Sequence, residues 1–199
     1  MYSIDSFSVE VKPRMLIRPQ NLSLPQVGLI LVVGANGVGK TTFLKQVGRR
    51  LLRHKKETKI SFVSSIQVYE KGLLLSGHDF FKLFSNKKWP SELMTRFGHL
   101  LKKRIDQMSS GEFQALVLIS NFMEDSDIVL VDEPVSHLSH EWALFFIAWV
   151  RELKNIKLLI TVSHQTELLS EISDQIYEIK NQSLMLKYDA LQEGYYESI

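Results

Sequence analysis

The sequence predicts an α/β fold in which a mostly parallel sheet is flanked by helices. Three short apolar runs, Leu29–Val33, Asp127–Val131 and Lys157–Val162, have the length and continuity of strands buried on both faces. Apolar residues three to four positions apart predict helices after the first two runs, over residues 42–52 and 141–153. Strands that alternate with helices imply parallel pairing through right-handed crossovers.

Alternating apolar residues over positions 1–33 predict an N-terminal antiparallel β part. Pro13, Pro19 and Pro25 confine its strands to sheet edges or short lengths, because proline cannot donate to a ladder of hydrogen bonds. Lys59–Val63 has the pattern of a further core strand.

Residues 66–108 are polar, aromatic and helical in pattern, which predicts an inserted helical subdomain. A helix over 109–123 restores the α/β pattern, and the strands 175–179 and 183–188 predict a closing hairpin. The pattern after residue 189 indicates no element. We therefore expect a single domain over residues 1–199, with an α/β core formed by residues 1–65 and 109–199.

Composition limits the classes of function. The formal charge is +2 and the basic residues are scattered, which favours solvated faces over nucleic-acid binding. The absence of cysteine excludes disulfides, thiolate metal sites and cysteine nucleophiles. The N-terminus has no secretory signal, and the longest apolar run, Trp142–Val150, is well short of the roughly 20 residues that span a membrane. We expect a cytoplasmic chain.

The stretch GANGVGKTT, residues 34–42, follows a buried strand and opens a helix, which is the context of a phosphate-binding loop. Gly34, Gly37 and Gly39 allow backbone N–H groups to approach phosphate oxygens closely. The Lys40 ammonium adds a positive charge, and the Thr41 hydroxyl is suited to ligate Mg²⁺. This motif alone leaves kinases, GTPases, helicases and transporter ATPases open.

Three further stretches narrow the choice. The strand before Pro134 ends in Asp132 and Glu133, at the strand end where ligands bind in open α/β sheets. Residues 108–114 (MSSGEFQ) open a helix whose N-terminus is suited to a phosphate. His164 follows the buried strand that ends at residue 162.

Taken in this order, the motifs resemble those of the ATP-binding cassette (ABC) family. Residues 34–42 match its Walker A loop, 108–114 its signature (family form LSGGQ), 129–133 its Walker B strand, and His164 its switch histidine. The compact insert resembles, more loosely, nucleotide-binding subunits of small bacterial exporters.

The resemblance implies that the ligands are ATP and Mg²⁺. Glu133 would act as general base and His164 would contact the γ-phosphate. Thr41, Asp132 and Gln67 would hold the metal. The residues that would hold the phosphates are Gly34, Asn36, Gly37, Val38, Gly39, Lys40, Thr41 and Thr42, and those that would reach the γ-phosphate from a second copy are Ser109, Gly111 and Glu112.

The chain departs from the family pattern at three places. Register places Ser65 where the family has its glutamine, and Gln67 follows two residues later. Ser139 stands where the family has an aspartate after Walker B. The adenine-stacking aromatic is either Phe7 or Tyr2, and core packing explains either residue equally well.

The expected function is that of an ATP-hydrolysing subunit that dimerises head to tail, as a homodimer or heterodimer, and drives a separately encoded transmembrane permease. It would lie at the inner face of the cell membrane through that partner, and no nucleic-acid partner is expected. The alternatives are a soluble ABC ATPase that acts on nucleic acid or ribosomes, and a non-catalytic module that binds ATP.

Aromatic and basic residues are interleaved in the insert. Two interpretations of the aromatic residues are equally supported. The aromatic residues either dock a cytoplasmic helix of the transmembrane partner or fill the core of the insert. The set comprises Phe80, Phe81, Phe84 and Trp89, with Lys82, Lys87 and Lys88.

Overall fold

A computed structural model describes residues 1–54, 57–64, 74–136, 138–164, 166–190 and 194–195. The strands are β1 (Tyr2–Val11), β2 (Arg14–Leu24), β3 (Gly28–Val33), β4 (Ile60–Val63), β5 (Ile128–Asp132), β6 (Leu158–Val162), β7 (Gln175–Lys180), β8 (Ser183–Asp189) and β9 (Gly194–Tyr195). The helices are α1 (Lys40–His54), α2 (Gly77–Lys82), α3 (Ser91–Lys102), α4 (Ser110–Met123), α5 (His140–Leu153) and α6 (Glu167–Ser170), with a 3₁₀ turn at Ile105–Gln107.

Within these ranges, one seven-stranded sheet has the order β4-β5-β6-β3-β7-β8-β9. The first five strands in that order run parallel, and β8 and β9 are antiparallel additions at one edge. Every residue of β5 and β6 is buried, because helices cover both faces of the sheet. The predicted α/β fold with a mostly parallel sheet is confirmed.

The predicted C-terminal hairpin is present as β7 and β8. Its two turn residues, Asn181 and Gln182, have φ of 51° and 59°, as a two-residue turn that matches strand twist requires. The short strand β9 then pairs with β8, in a region where the sequence pattern indicated no element. The helix α6 was not predicted either.

The N-terminal β part is a separate two-stranded antiparallel sheet of β1 and β2. Its strands have 10 and 11 residues and are both edge strands, which is the first of the two alternatives that the prolines predicted. A two-stranded sheet tolerates Pro19 within β2 because each strand has one unpaired edge. The inner face of this sheet packs on the main sheet through one apolar cluster that includes Ile4, Phe7 and Ile17.

Residues 74–108 form α2, α3 and the 3₁₀ turn. The Phe80 ring packs against Phe113 of α4 at 5.5 Å, and Phe97 packs against Trp142 of α5 at 5.3 Å. The aromatic residues of this region therefore join the apolar cluster on one face of the main sheet. In the part of the chain that the structure describes, no helix has both the length and the apolar character needed to cross a membrane.

Candidate nucleotide site

The loop between β3 and α1 depends on its glycines. Gly37 and Gly39 have φ of 74° and 109°, which side chains rarely permit. A Cβ on Gly39 would also lie 2.6 Å from the Leu16 side chain, and one on Gly34 would lie 2.8 Å from the Ile179 carbonyl oxygen. The loop is therefore held against both the β1–β2 sheet and β7, with its backbone exposed at the start of α1.

Lys40 points back into this loop. Its ammonium donates to the carbonyl oxygens of Gly34 at 2.8 Å and Ala35 at 3.3 Å, and the residue is 8% exposed. These two bonds hold a positive charge inside the curve of the loop, beside the N-terminus of α1. Both features favour an anion at this point.

Thr41 and Asp132 meet at the same edge of the sheet. The Thr41 hydroxyl donates to Asp132 Oδ2 at 2.9 Å. Burial raises the pKa of Asp132, the Thr41 hydrogen bond opposes that shift, and the nearby charge of Glu133 adds to it. A hydroxyl and a buried carboxylate are oxygen donors that suit Mg²⁺, and a cation here would offset the cost of the buried charge. These residues therefore fit the magnesium ion expected with ATP.

Glu133 is held at the end of β5 by an unusual backbone conformation, with φ of 52°. Its Oε2 accepts from the Ser163 hydroxyl at 3.1 Å and from the His164 N–H at 3.3 Å. His164 Nδ1 lies 2.9 Å from the same oxygen. A left-handed backbone conformation costs a non-glycine residue about 1–3 kcal/mol of folding free energy, and such strained residues are typical of functional sites.

A cavity of about 610 Å³ joins these groups. Its lining includes Asn36, Gly37, Gly39, Lys40, Thr41, Thr42, Asp132 and Glu133, all of them predicted site residues. Val38 is not part of that lining, and its N–H forms a loop hydrogen bond with the Ala35 carbonyl at 3.3 Å. His164 does not line the cavity either, but it contacts Glu133, which does.

The signature residues lie at the N-terminus of α4, and none of them lines this cavity. Ser109 caps α4, and its hydroxyl accepts from the Glu112 N–H at 3.1 Å. The Glu112 carboxylate in turn accepts from the Ser109 N–H at 2.7 Å, which completes a capping box. Gly111, in the first turn, is half-buried.

Glu112 caps helix α4, and its surroundings argue against the predicted contact with the γ-phosphate of a second copy. Lys103 donates to both of its carboxylate oxygens, at 2.9 and 2.7 Å. Burial raises the pKa of Glu112, but the hydrogen bonds from Lys103 and Ser109 outweigh it and place the pKa below the usual value. An ionised carboxylate has no proton to donate to a phosphate.

Comparison with known proteins decides the family. A family model described as ABC transporter matches residues 17–136, more than half of the chain. The chain belongs to the ABC transporter family. Cassettes of this family bind and hydrolyse ATP, and this chain is one of these ATPases.

The relatives of this cassette differ in task. The "Probable peptide export ATP-binding protein YydI" of Bacillus subtilis is 25% identical, over 92% of each chain. A "Zinc import ATP-binding protein ZnuC 1" of Aliivibrio fischeri is 23% identical, over 88% of this chain and 73% of that protein. The "Ribosome protection protein VmlR" of Bacillus subtilis is 25% identical over 92% of this chain, which spans 32% of that protein.

Solved structures share the fold of the cassette. A dimeric ATP-binding cassette in a post-hydrolysis state, bound to ADP and phosphate, aligns with a TM-score of 0.66 at 15% identity, over 90% of this chain and 94% of that one. An ABC transporter of the metal-chelate type, in an inward-facing conformation, aligns with a TM-score of 0.73 at 18% identity, over 92% of this chain and 81% of that one.

The base side of the cassette's cavity differs from the prediction. Phe7 is fully buried and packs edge to face on Phe43 at 5.4 Å, so its assignment to the adenine is wrong. Tyr2 is half-buried near Asp127, just before the start of β5. The cavity lies at the other end of that strand, where Asp132 is. Both residues pack in or against the apolar core, which was the alternative interpretation.

Sequence reasoning missed three residues that line the cavity beside the phosphate loop, on the side where we expect the base of a bound nucleotide. These residues are Val11, Arg14 and Leu16, at the end of β1 and the start of β2. Pro13 in the turn between these strands was a signal, since it marks the tip of a hairpin. That the tip lies over the phosphate loop, however, follows from the packing of Leu16 against Gly39.

Two family positions remain as predictions. Ser65 and Gln67, the candidates for the glutamine that would ligate the metal, lie outside the described residues. Ser139, where the family has an aspartate, caps α5 by accepting from the Trp142 N–H at 3.4 Å. A serine suffices for that cap, because its hydroxyl satisfies an otherwise unpaired N–H.

Proposed function

We propose that this chain is the ATP-hydrolysing subunit of a membrane transporter, in which two cassettes close head to tail on ATP and move a separately encoded transmembrane partner. One observation carries the proposal. The groups suited to phosphate, metal and water surround one cavity, whereas Ser109 and Gly111 lie outside it. A second cassette would bring its own Ser109 and Gly111 to the γ-phosphate and complete the site.

Within one cassette, the residues around the cavity would perform three tasks in hydrolysis. Lys40 and the loop N–H groups would bind and orient the β- and γ-phosphates. Mg²⁺, when bound at Thr41 and Asp132, neutralises charge on the phosphate oxygens. Glu133 would accept the proton from the attacking water, since its carboxylate faces the cavity and is oriented by Ser163 and His164.

The transporter role is favoured over the alternatives by the extent of the matches. YydI, whose name is that of an ATP-binding protein of peptide export, matches over 92% of its own length. By contrast, the match covers 32% of VmlR and 18% of the "mRNA export factor elf1" of Schizosaccharomyces pombe. The presence of Glu133 and His164 in contact favours turnover over a non-catalytic module.

The partner's docking site is proposed to be the cavity of about 400 Å³ beside α2. Phe81 and Trp89 are buried in its wall, which supports the interpretation that the aromatic residues fill the core. Lys82, Lys87 and Lys88 stand at its exposed side, and none of the described residues that line it is acidic. An acidic segment of a cytoplasmic helix would complement this surface.

The test of the proposed function uses Glu133→Gln, which retains hydrogen-bonding reach but cannot accept the proton. We expect ATP to bind without turnover and the mass measured by light scattering to double with ATP and not with ADP. Adding Ser109→Arg should abolish the doubling, because bulk and charge would occupy the phosphate position. Equal mass with ATP and ADP would overturn the head-to-tail model.

A further inference from the structure

The signature of this chain carries a negative charge where the family form has a neutral glutamine. The Glu112 carboxylate accepts hydrogen bonds from Lys103 and from the Ser109 N–H, which outweigh the effect of burial and lower its pKa, and the capping box joins it directly to Ser109. The same Ser109 is proposed to meet the γ-phosphate of the nucleotide on a second copy. A phosphate that binds at Ser109 would therefore be close to the Glu112 carboxylate, and the two negative charges would repel each other.

Lys103 is built into the structure as the partner of that carboxylate. Its ammonium donates to both Glu112 oxygens. The Lys103 side chain is about one-third exposed and that of Glu112 about one-fifth. The Lys103 carbonyl accepts from the Gly77 N–H at 2.9 Å, which ties the end of α3 to α2. A Cβ on Gly77 would lie 2.0 Å from the Leu100 carbonyl oxygen, so this approach of the two helices requires glycine.

His99 is a second basic residue at the same place. Its Nε2 lies 3.9 Å from Glu112 Oε1, and its side chain is about half exposed. Lys103, by contrast, makes two bonds of 2.9 and 2.7 Å to the carboxylate. The compensating charge at the signature therefore comes mainly from Lys103.

We propose that Lys103 is a positioning residue for the ATP-dependent dimer, which neutralises Glu112 so that Ser109 and Gly111 can receive the γ-phosphate of the second copy. This inference rests on the proposed function, since it assumes head-to-tail closure. Lys103 does not line the cavity of its own chain, so it acts on association and not on the binding of ATP to one subunit.

The test is a rescue experiment in the Glu133→Gln background, where the closed dimer accumulates. Lys103→Met should raise the ATP concentration for half-maximal dimer, measured by light scattering, by about tenfold or more, because the phosphate then meets an uncompensated carboxylate. Lys103→Met combined with Glu112→Gln should return that concentration to within about threefold of the parent, since glutamine keeps the capping box without the charge. Lys103→Arg should resemble the parent.

Two controls separate this role from a structural one. Calorimetric affinity for ADP, which does not promote association, should be the same in all variants, and Glu112→Gln alone should dimerise at least as readily as the parent. Dimer formation by Lys103→Met at the parental ATP concentration would overturn the inference. So would a double variant as defective as Lys103→Met, because the effect would then not act through Glu112. A Glu133→Gln parent that fails to associate with ATP would instead overturn the proposed function, and this inference with it.

Discussion

The Thr41 hydroxyl and the Asp132 carboxylate, 91 residues apart in the chain, form a hydrogen bond of 2.9 Å at the end of the sheet. The contact joins the helix that follows the Walker A loop to the end of the Walker B strand. Asp132 is 5% exposed, and its negative charge is offset by one hydroxyl and by the more distant Lys40 and Lys45. The arrangement is suited to magnesium and costs stability without it.

The first prediction follows from the raised pKa of Asp132. A carboxyl whose pKa is higher in the folded state favours folding when protonated, so its contribution to the free energy of unfolding is greatest at low pH and falls as pH rises through that raised pKa. Asp132→Asn should therefore raise the melting temperature of the metal-free protein at neutral pH, by about 2–4 °C per kcal/mol recovered. Calorimetry with pH should show the difference from the parent vanish in acid.

The same variant should lose ATPase activity, because the amide cannot replace a negatively charged metal ligand. Added Mg²⁺ should raise the melting temperature of the parent in the presence of nucleotide and leave that of Asp132→Asn unchanged. A variant that is less stable than the parent at neutral pH would contradict the view that burial of this charge is costly.

The phosphate side of the site could be predicted from sequence, and the base side could not. Phosphate binding depends on the backbone of one contiguous loop, so the spacing of Gly34 to Thr41 contains the information. The base side depends on where a hairpin tip lies, which is set by contacts such as Leu16 against Gly39. Alternation identified the inward face of β1, but the pattern does not distinguish core contact from ligand contact at Phe7.

The contact between Glu133 and His164 was also beyond the sequence pattern, although both residues were predicted. It follows from the register of β5 and β6, which pairs Asp132 with Val162. The residues immediately after two paired parallel strands then lie side by side. The sequence pattern locates the two strands but does not give the register of their pairing, which the structure shows.

The second prediction tests the reassignment of Phe7. Phe7→Ala should lower the free energy of unfolding by about 3–5 kcal/mol, because it removes a fully buried ring from the core. Phe7→Leu should lose less and remain folded. Denaturant unfolding measures the first effect, and calorimetric titration of Phe7→Leu with ATP should give the parental affinity. A large loss of affinity in the stable Phe7→Leu variant would restore the base-stacking assignment.

The third prediction concerns Arg14, the one charged residue at the base side of the cavity among the residues described. A guanidinium stacks on any nucleobase, with a contribution of about 1 kcal/mol, or roughly fivefold in affinity. Arg14→Ala should weaken ATP and GTP binding by the same factor in calorimetric titrations, without a change in melting temperature. Arg18→Ala, further along β2 and bonded to Gln182 by its Nε, is the matched control. Unchanged affinity in Arg14→Ala would exclude this role.

The fourth prediction concerns the proposed docking cavity. Reversing two exposed charges, with Lys87→Glu and Lys88→Glu together, should reduce co-purification with a co-expressed transmembrane partner and leave the ATPase rate of the isolated chain unchanged. Lys102→Glu together with Lys180→Glu, at exposed positions of α3 and β7 that do not line the cavity, is the matched pair of charge reversals. Equal loss of the partner in both variants would indicate a general effect of charge and count against this site.

The last prediction treats Glu133 and His164 as one unit. His164 Nδ1 is 2.9 Å from Glu133 Oε2, and the backbone of Glu133 is held in a left-handed conformation that leaves its side chain few alternatives. Removing the imidazole should leave the carboxylate in place but less well oriented, so His164→Ala should lower single-turnover hydrolysis by about 10-fold to 100-fold, less than Glu133→Gln does. Because residues that act together are strongly non-additive, the double variant should hydrolyse ATP no more slowly than Glu133→Gln alone. Ser163→Ala, which removes the other side-chain donor to the same oxygen, should have a smaller effect in the same direction. Rates that multiply in the double variant would show that His164 acts on the γ-phosphate independently of Glu133.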